Sequence, residues 1–83
     1  MSSEIVNTLG DYLDQVIMIK LRNKKTVRGN LQDFDQQMNI ILTDSKDITT
    51  ENVKNLNNIL IRGANIIMVS LPDTQNQKDD GSV

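Results

Sequence analysis

The stretch VIMIKLRNKKTVRGNLQDFDQQMNIILT, Val16 to Thr43, decides the fold. From Val16 to Arg22, Ile17, Ile19 and Leu21 alternate with Met18, Lys20 and Arg22, which is the period-two pattern of a strand with one wet face. Asn23-Lys24-Lys25 makes a polar tight turn, and Thr26 to Phe34 reads as a second strand. Gly29 interrupts that strand, as glycine does where a strand bends or another backbone comes close. After a turn at Asp35 to Gln37, Met38, Ile40 and Leu42 alternate with Asn39, Ile41 and Thr43 in a third strand that ends near Asp44.

On the C-terminal side, Asp44 to Glu51 is rich in turn formers and reads as a polar loop. Val53 to Arg62 forms a fourth strand, Gly63-Ala64 turns the chain, Asn65 to Leu71 forms a fifth, and Pro72 stops it. On the N-terminal side, Ser2 or Ser3 can cap a helix whose apolar positions Ile5, Leu9, Tyr12 and Leu13 recur at helical spacing. Gly10 weakens that helix by about 1 kcal/mol relative to alanine, so packing must hold it. The expectation is all-β with a short N-terminal helix at about residues 3–14. The five strands, within 16–71, form a strongly bent antiparallel SH3-like barrel. Residues 1–72 make the domain and 73–83 a disordered polar tail.

Composition narrows the function. The chain has 83 residues and no cysteine or histidine, which removes disulfides and the two commonest zinc ligands. Without a Gly-rich phosphate loop or an evidently tuned carboxylate pair, it is expected to be no enzyme and to need no cofactor or metal. No apolar run approaches the ~18 residues of a membrane span, and Met1 to Leu13 is unlike a signal peptide. The expectation is a soluble, cytoplasmic protein. Net charge is −2; Asp73, Asp79 and Asp80 against Lys78 account for it, leaving eight basic and eight acidic residues elsewhere. A neutral body binds a polyanion only where its basic groups converge.

Two turns carry hydrogen-bonding or planar side chains: Asp35-Gln36-Gln37-Met38-Asn39 and Arg62-Gly63-Ala64-Asn65. Singly, each reads equally well as turn chemistry. If the third strand starts at Met38, Met38 points inward and Asn39 outward at the strand entrance, where its amide offers an acceptor and two donors to a ligand. Asp35 is placed to accept from that amide, and the Arg62 guanidinium suits stacking on a base and approach to phosphate. Gly63 permits a turn with positive φ, and Asn65 is positioned to bond across to Asp35 or Arg62.

Together, the two segments and the apolar runs around them, from about Leu9 to Pro72, resemble the signature motifs of the Sm and Sm-like RNA-binding family, most of all its archaeal members. The resemblance implies the Sm fold, closed into a ring usually of seven subunits that binds uridine-rich single-stranded RNA at the pore. It assigns base reading to Asn39 and orientation to Asp35, with Gln37, Arg62, Gly63 and Asn65 completing the RNA-binding set. Three positions depart from the family pattern. The first turn lacks a glycine, Asn65 stands where many relatives carry aspartate, and Gln37 stands where they often carry histidine or an aromatic. Stacking on an aromatic is worth about 1–3 kcal/mol per base, so Gln37 implies a looser pocket with weaker uridine preference.

The last two strands are apolar on both faces, and their borders are expected to join neighbouring copies, the fourth strand of one to the fifth of the next. The expected partners are further copies of the chain or other Sm-like subunits in a mixed ring, with no membrane. The competing reading is a protein scaffold of SH3-like fold without RNA, although two aromatics are too few for a proline-rich peptide groove. Lys20, Arg22, Lys24, Lys25 and Arg28 read as a solvated basic face, and Phe34 as core.

Overall fold

A computed structural model describes residues 3–72 of the chain. The proposed capping role of Ser2 and the polar tail at 73–83 lie outside the described residues. Helix α1 spans Ser3–Gly10 and is followed by strands β1 (Val16–Leu21), β2 (Thr26–Phe34), β3 (Ile40–Asp47), β4 (Lys54–Ile61) and β5 (Ile66–Ser70), with one 3-10 turn at Gly63–Asn65. The strands form one antiparallel sheet in the order β4-β3-β2-β1-β5. Its concave side holds the core of Leu9, Ile17, Ile19, Val27, Leu31, Ile40, Leu42 and Ile61.

Alternation alone explains the inward residues of β1 and β2, and Gly29 explains why the sheet curls. A Cβ at Gly29 would lie 2.8 Å from Ser45 Cβ and 3.1 Å from Leu42 Cβ, so the missing side chain lets β2 bend over β3. The register shifts at that point. In the β1–β2 turn, Lys24 adopts the left-handed conformation (φ 72°) that a glycine would adopt without strain. Asn23 Oδ1 supports it by accepting from Lys25 N at 3.0 Å.

Three boundaries differ from the sequence reading by two residues or more. Helix α1 stops at Gly10 rather than near residue 14, because Tyr12 N turns back to Leu9 O (2.8 Å) and Asp14, at φ 69°, donates its N–H to Leu31 O (2.8 Å). The buried stripe is Val6 and Leu9, while Ile5 and Leu13 are exposed. Strand β3 begins at Ile40 rather than Met38, and it continues into the segment read as a loop, ending at Asp47 rather than near Asp44, with residues 48–51 left outside any strand. At Asp44 (φ 50°) a bulge resets the alternation, so that Leu42 and Ser45 both point inward. Ser45 Oγ then donates to Asn57 O at 2.7 Å across β4. Asp47 is also buried; it accepts from Thr49 N at 3.0 Å and faces Lys25 Nζ at 3.8 Å, which ties the β3–β4 loop to the first hairpin.

The sheet order leaves β4 and β5 as its two borders. Leu60 on β4 is 64% exposed, and Ile67 and Met68 on β5 are 60% and 48% exposed. An apolar groove between β5 and α1, lined by Ile5, Thr8, Ile66 and Met68 among others, continues that surface.

Candidate nucleic-acid interface

The pairing of β3 with β4 sets the site. Ile40 pairs with Ile61, so the residue before β3, Asn39, and the residue after β4, Arg62, emerge at facing positions of the same corner. Two turns twenty-odd residues apart in sequence are thereby placed in contact.

Asp35 organises the first turn. Its Oδ1 accepts from Gln37 N and from Asn39 N, both at 2.9 Å, and its Oδ2 accepts from Asn39 Nδ2 at 2.9 Å. Asp35 N donates to Asn39 O (3.1 Å) and Met38 N donates to Asp35 O (3.0 Å), closing a compact loop in which Met38 sits at φ 66°. A positive φ at a long side chain is uncommon and persists only where surrounding bonds enforce it. The hydrogen bond from the Asn39 side chain, reinforced by the backbone N–H groups, holds the Asp35 carboxyl below the usual carboxylate range.

The second turn docks onto the first. Gly63 N donates to Asn39 Oδ1 at 2.7 Å, the bond that joins the two segments. Gly63 does not have positive φ, contrary to the sequence reading. It is required by proximity: a Cβ there would lie 2.0 Å from Gln37 O and 3.0 Å from Met38 C.

Asn39 thus has its amide orientation fixed from two sides, Nδ2 by Asp35 and Oδ1 by Gly63. An amide carries two N–H donors and two lone pairs. One of each is occupied, and one donor and one lone pair remain for a ligand. Asn39 lines a shallow cleft of about 630 Å³ together with Gln36, Gln37, Met38, Arg62, Gly63 and Ala64.

The six residues singled out from sequence therefore separate into three roles. Gln37, Asn39, Arg62 and Gly63 share the cleft, and Asp35 stands behind it as the brace for Asn39. Asn65 is not in this cleft: its N donates to Arg62 O (2.9 Å) and its O accepts from Arg22 N (2.9 Å), and it lines a second concavity with Arg22, Asn23 and Arg62, the last of which borders both. Among the described residues, the Asn65 side chain makes no hydrogen bond to Asp35 or Arg62.

Arg22 was not singled out for this site. Its Nε donates to Ala64 O at 2.8 Å, so the last residue of the first alternating run supports the second motif from behind. Its position just after an alternating strand was visible in the sequence, but the contact spans 42 residues and depends on β1 pairing with β5. Gln36 and Ala64 were missed as cleft walls for the simpler reason that neither carries distinctive chemistry. Phe34 packs against the core, as read. The rest of the basic group does not converge: Lys25 faces Asp47, while Lys20 and Arg28 are exposed on the convex strands.

The LSM domain family model matches residues 7–71. A Drosophila melanogaster protein described as small nuclear ribonucleoprotein G is 38% identical over 63 residues, 75% of this chain and 83% of that one. An snRNP Sm-like protein of Aeropyrum pernix is 32% identical over 60 residues, 72% of this chain and 78% of the other. Among solved structures, the SmAP1 heptamer of P. aerophilum is similar with a TM-score of 0.79 and 31% identity, covering 84% of this chain and 95% of that one. The Sm protein of Pyrococcus abyssii, in complex with a uridine heptamer, has a TM-score of 0.75 and 28% identity, covering 81% and 96%.

Proposed function

The chain belongs to the LSM-domain, or Sm-like, family, and on that premise we propose that it is a non-catalytic cytoplasmic ring subunit. Residues 1–72 form the working unit, and it binds uridine-rich single-stranded RNA at the pore in RNA processing, stabilisation or turnover. The observation that carries this reading is the Asn39 amide, clamped between Asp35 and Gly63 in the wall of the cleft with one donor and one acceptor unused. That pair of groups complements the N3–H and carbonyl of uracil. Arg62, on the facing corner, supplies a plane for the base and a charge for phosphate. Asp35, Gln37, Asn39, Arg62, Gly63 and Asn65 make up the proposed RNA-binding set, the first as positioning residue and Asn65 through its main chain.

Ring closure follows from the two unpaired borders. Joining β4 of one copy to β5 of the next satisfies both strand edges and covers Leu60, Ile67 and Met68. The heptamer described for the P. aerophilum relative supports seven copies, and the uridine heptamer held by the P. abyssii relative supports the ligand class. Each site then contributes modestly and repetition accumulates affinity. Purified alone, the chain is expected to sediment as a discrete ring of about seven copies. Labelled oligouridine should bind more tightly than oligoadenine and more weakly as salt rises. An Asn39→Ala, Arg62→Ala ring that binds as well as the parent removes the site. A monomer that forms a ring only with other Sm-like chains favours the mixed-ring reading. RNA cleavage by the pure protein contradicts the non-catalytic assignment.

A further inference from the structure

The cleft has an unusual wall opposite Arg62. Gln37 is pinned by its main chain, with its N–H on Asp35 Oδ1 at 2.9 Å and its carbonyl oxygen beneath Gly63, 2.0 Å from where a Cβ would stand. The side chain is exposed, and among the described residues its amide has no hydrogen-bond partner. An unpartnered amide on a fixed backbone, beside a cleft with room for a base, is a hydrogen-bonding group rather than a stacking surface. The chain has no other ring to lend: Tyr12 and Phe34 are its only aromatics, and both pack against the core.

We infer that Gln37 makes adenine the second base this cleft accepts, reading it by its edge. The inference rests on the proposed RNA-binding role of the same cleft. Adenine carries two separate donor–acceptor edges, N6–H with N1 and N6–H with N7. Glutamine and asparagine amides match them with one N–H and one carbonyl each. Asn39 has one donor and one acceptor left, and Gln37 has a complete amide, so the two can take different edges of one adenine. Uracil has a single such face, N3–H between its carbonyls, and Asn39 alone satisfies it. Guanine, like uracil, offers Asn39 one such face, N1–H beside O6, but its other edge, O6 with N7, carries two acceptors and gives the Gln37 carbonyl nothing to accept. One-sided stacking on Arg62 adds to the effect, because a purine covers more of a single plane than a pyrimidine does. The cleft therefore ranks uracil first, with adenine close behind it, and adenine is the base that depends on Gln37.

Labelled heptamers U7, U3AU3 and U3GU3 test this by anisotropy on the intact assembly, with parent, Gln37→Ala and Gln37→His. One adenine per strand confines the change to one cleft. The parent should bind U3AU3 within about threefold of U7, and Gln37→Ala should change U3GU3 binding no more than it changes U7 binding. Gln37→Ala should weaken U3AU3 at least fivefold more than U7, and Gln37→His should tighten U7 without restoring U3AU3. A differential below fivefold in Gln37→Ala overturns the inference while leaving the RNA-binding reading standing, provided Asn39→Ala, Arg62→Ala still abolishes U7 binding. Failure of the parent to bind any heptamer overturns both.

Discussion

Replacing Gly63 by alanine introduces a Cβ 2.0 Å from Gln37 O, where real Cβ atoms keep at least 3.0 Å from their neighbours. The turn must therefore open by about 1.0 Å. Opening by that distance takes Gly63 N, now 2.7 Å from Asn39 Oδ1, beyond the range of a good hydrogen bond. Forced overpacking costs about 1–3 kcal/mol and a lost hydrogen bond about 1 kcal/mol, giving roughly 2–4 kcal/mol in all. Alanine at an unstrained glycine would instead stabilise by about 0.4–1 kcal/mol, by restricting the unfolded chain. The two accounts differ in sign. Gly10→Ala is the internal control, since its Cβ meets only Phe34 Cζ at an ordinary 3.8 Å. Urea unfolding at fixed subunit concentration should show Gly63→Ala destabilised and Gly10→Ala unchanged or stabilised by up to about 1 kcal/mol. A neutral or stabilised Gly63→Ala protein with parental RNA affinity would refute the proposed fit of the two turns.

Three further outcomes follow from the same geometry. Arg22→Ala frees Ala64 O and should quicken hydrogen exchange at Asn65 N, with RNA binding weakened by roughly fivefold, the equivalent of one modest hydrogen bond; unchanged exchange would show the brace to be idle. Asp35 and Asp47 both have folded pKa values below the unfolded value near 3.8, the first chiefly through the Asn39 side chain and the second through the Thr49 side chain. Their contribution to stability is thus present above the unfolded value and lost as pH falls through the lower folded values. Urea midpoints should be insensitive to these groups between pH 5 and 7 and fall below pH 4, and the double variant Asp35→Asn, Asp47→Asn should flatten that fall. Leu60→Glu, at a position 64% exposed in one copy, should leave the subunit folded by circular dichroism yet reduce its sedimenting mass to that of a monomer; a ring of unchanged mass would place the interface elsewhere.

Strands were legible where one face is wet. Ile17, Ile19, Val27 and Leu31 alternate cleanly, and the bounds of β2 were read as they stand. The pattern failed at Asp44, where a bulge brings Leu42 and Ser45 to the same side three residues apart, so a polar stretch that continues β3 reads as loop. Helix α1 was overextended because Tyr12 and Leu13 keep helical spacing, while the bond that fixes the turn after it runs from Asp14 N to Leu31 O, on a strand distant in sequence. The site was legible as residue types and their order. Its place four residues before Asn39, together with the family resemblance, suggested Asp35 as the orienter of Asn39, and three bonds to its carboxylate fit that role. The purpose of Gly63 was not legible, since a glycine needed for backbone torsion and one needed for close approach look identical in sequence. Only coordinates distinguish them.

The most direct measurement is photo-crosslinking of a 4-thiouridine-substituted heptauridine to the assembled protein, with the attachment points mapped by mass spectrometry. Crosslinks concentrated within residues 36–39 and 62–64, and absent from an Asn39→Ala, Arg62→Ala assembly of the same mass, are the result this account predicts. Crosslinks centred on the convex strands, around Lys20 and Arg28, with the two turns unmarked, would contradict it.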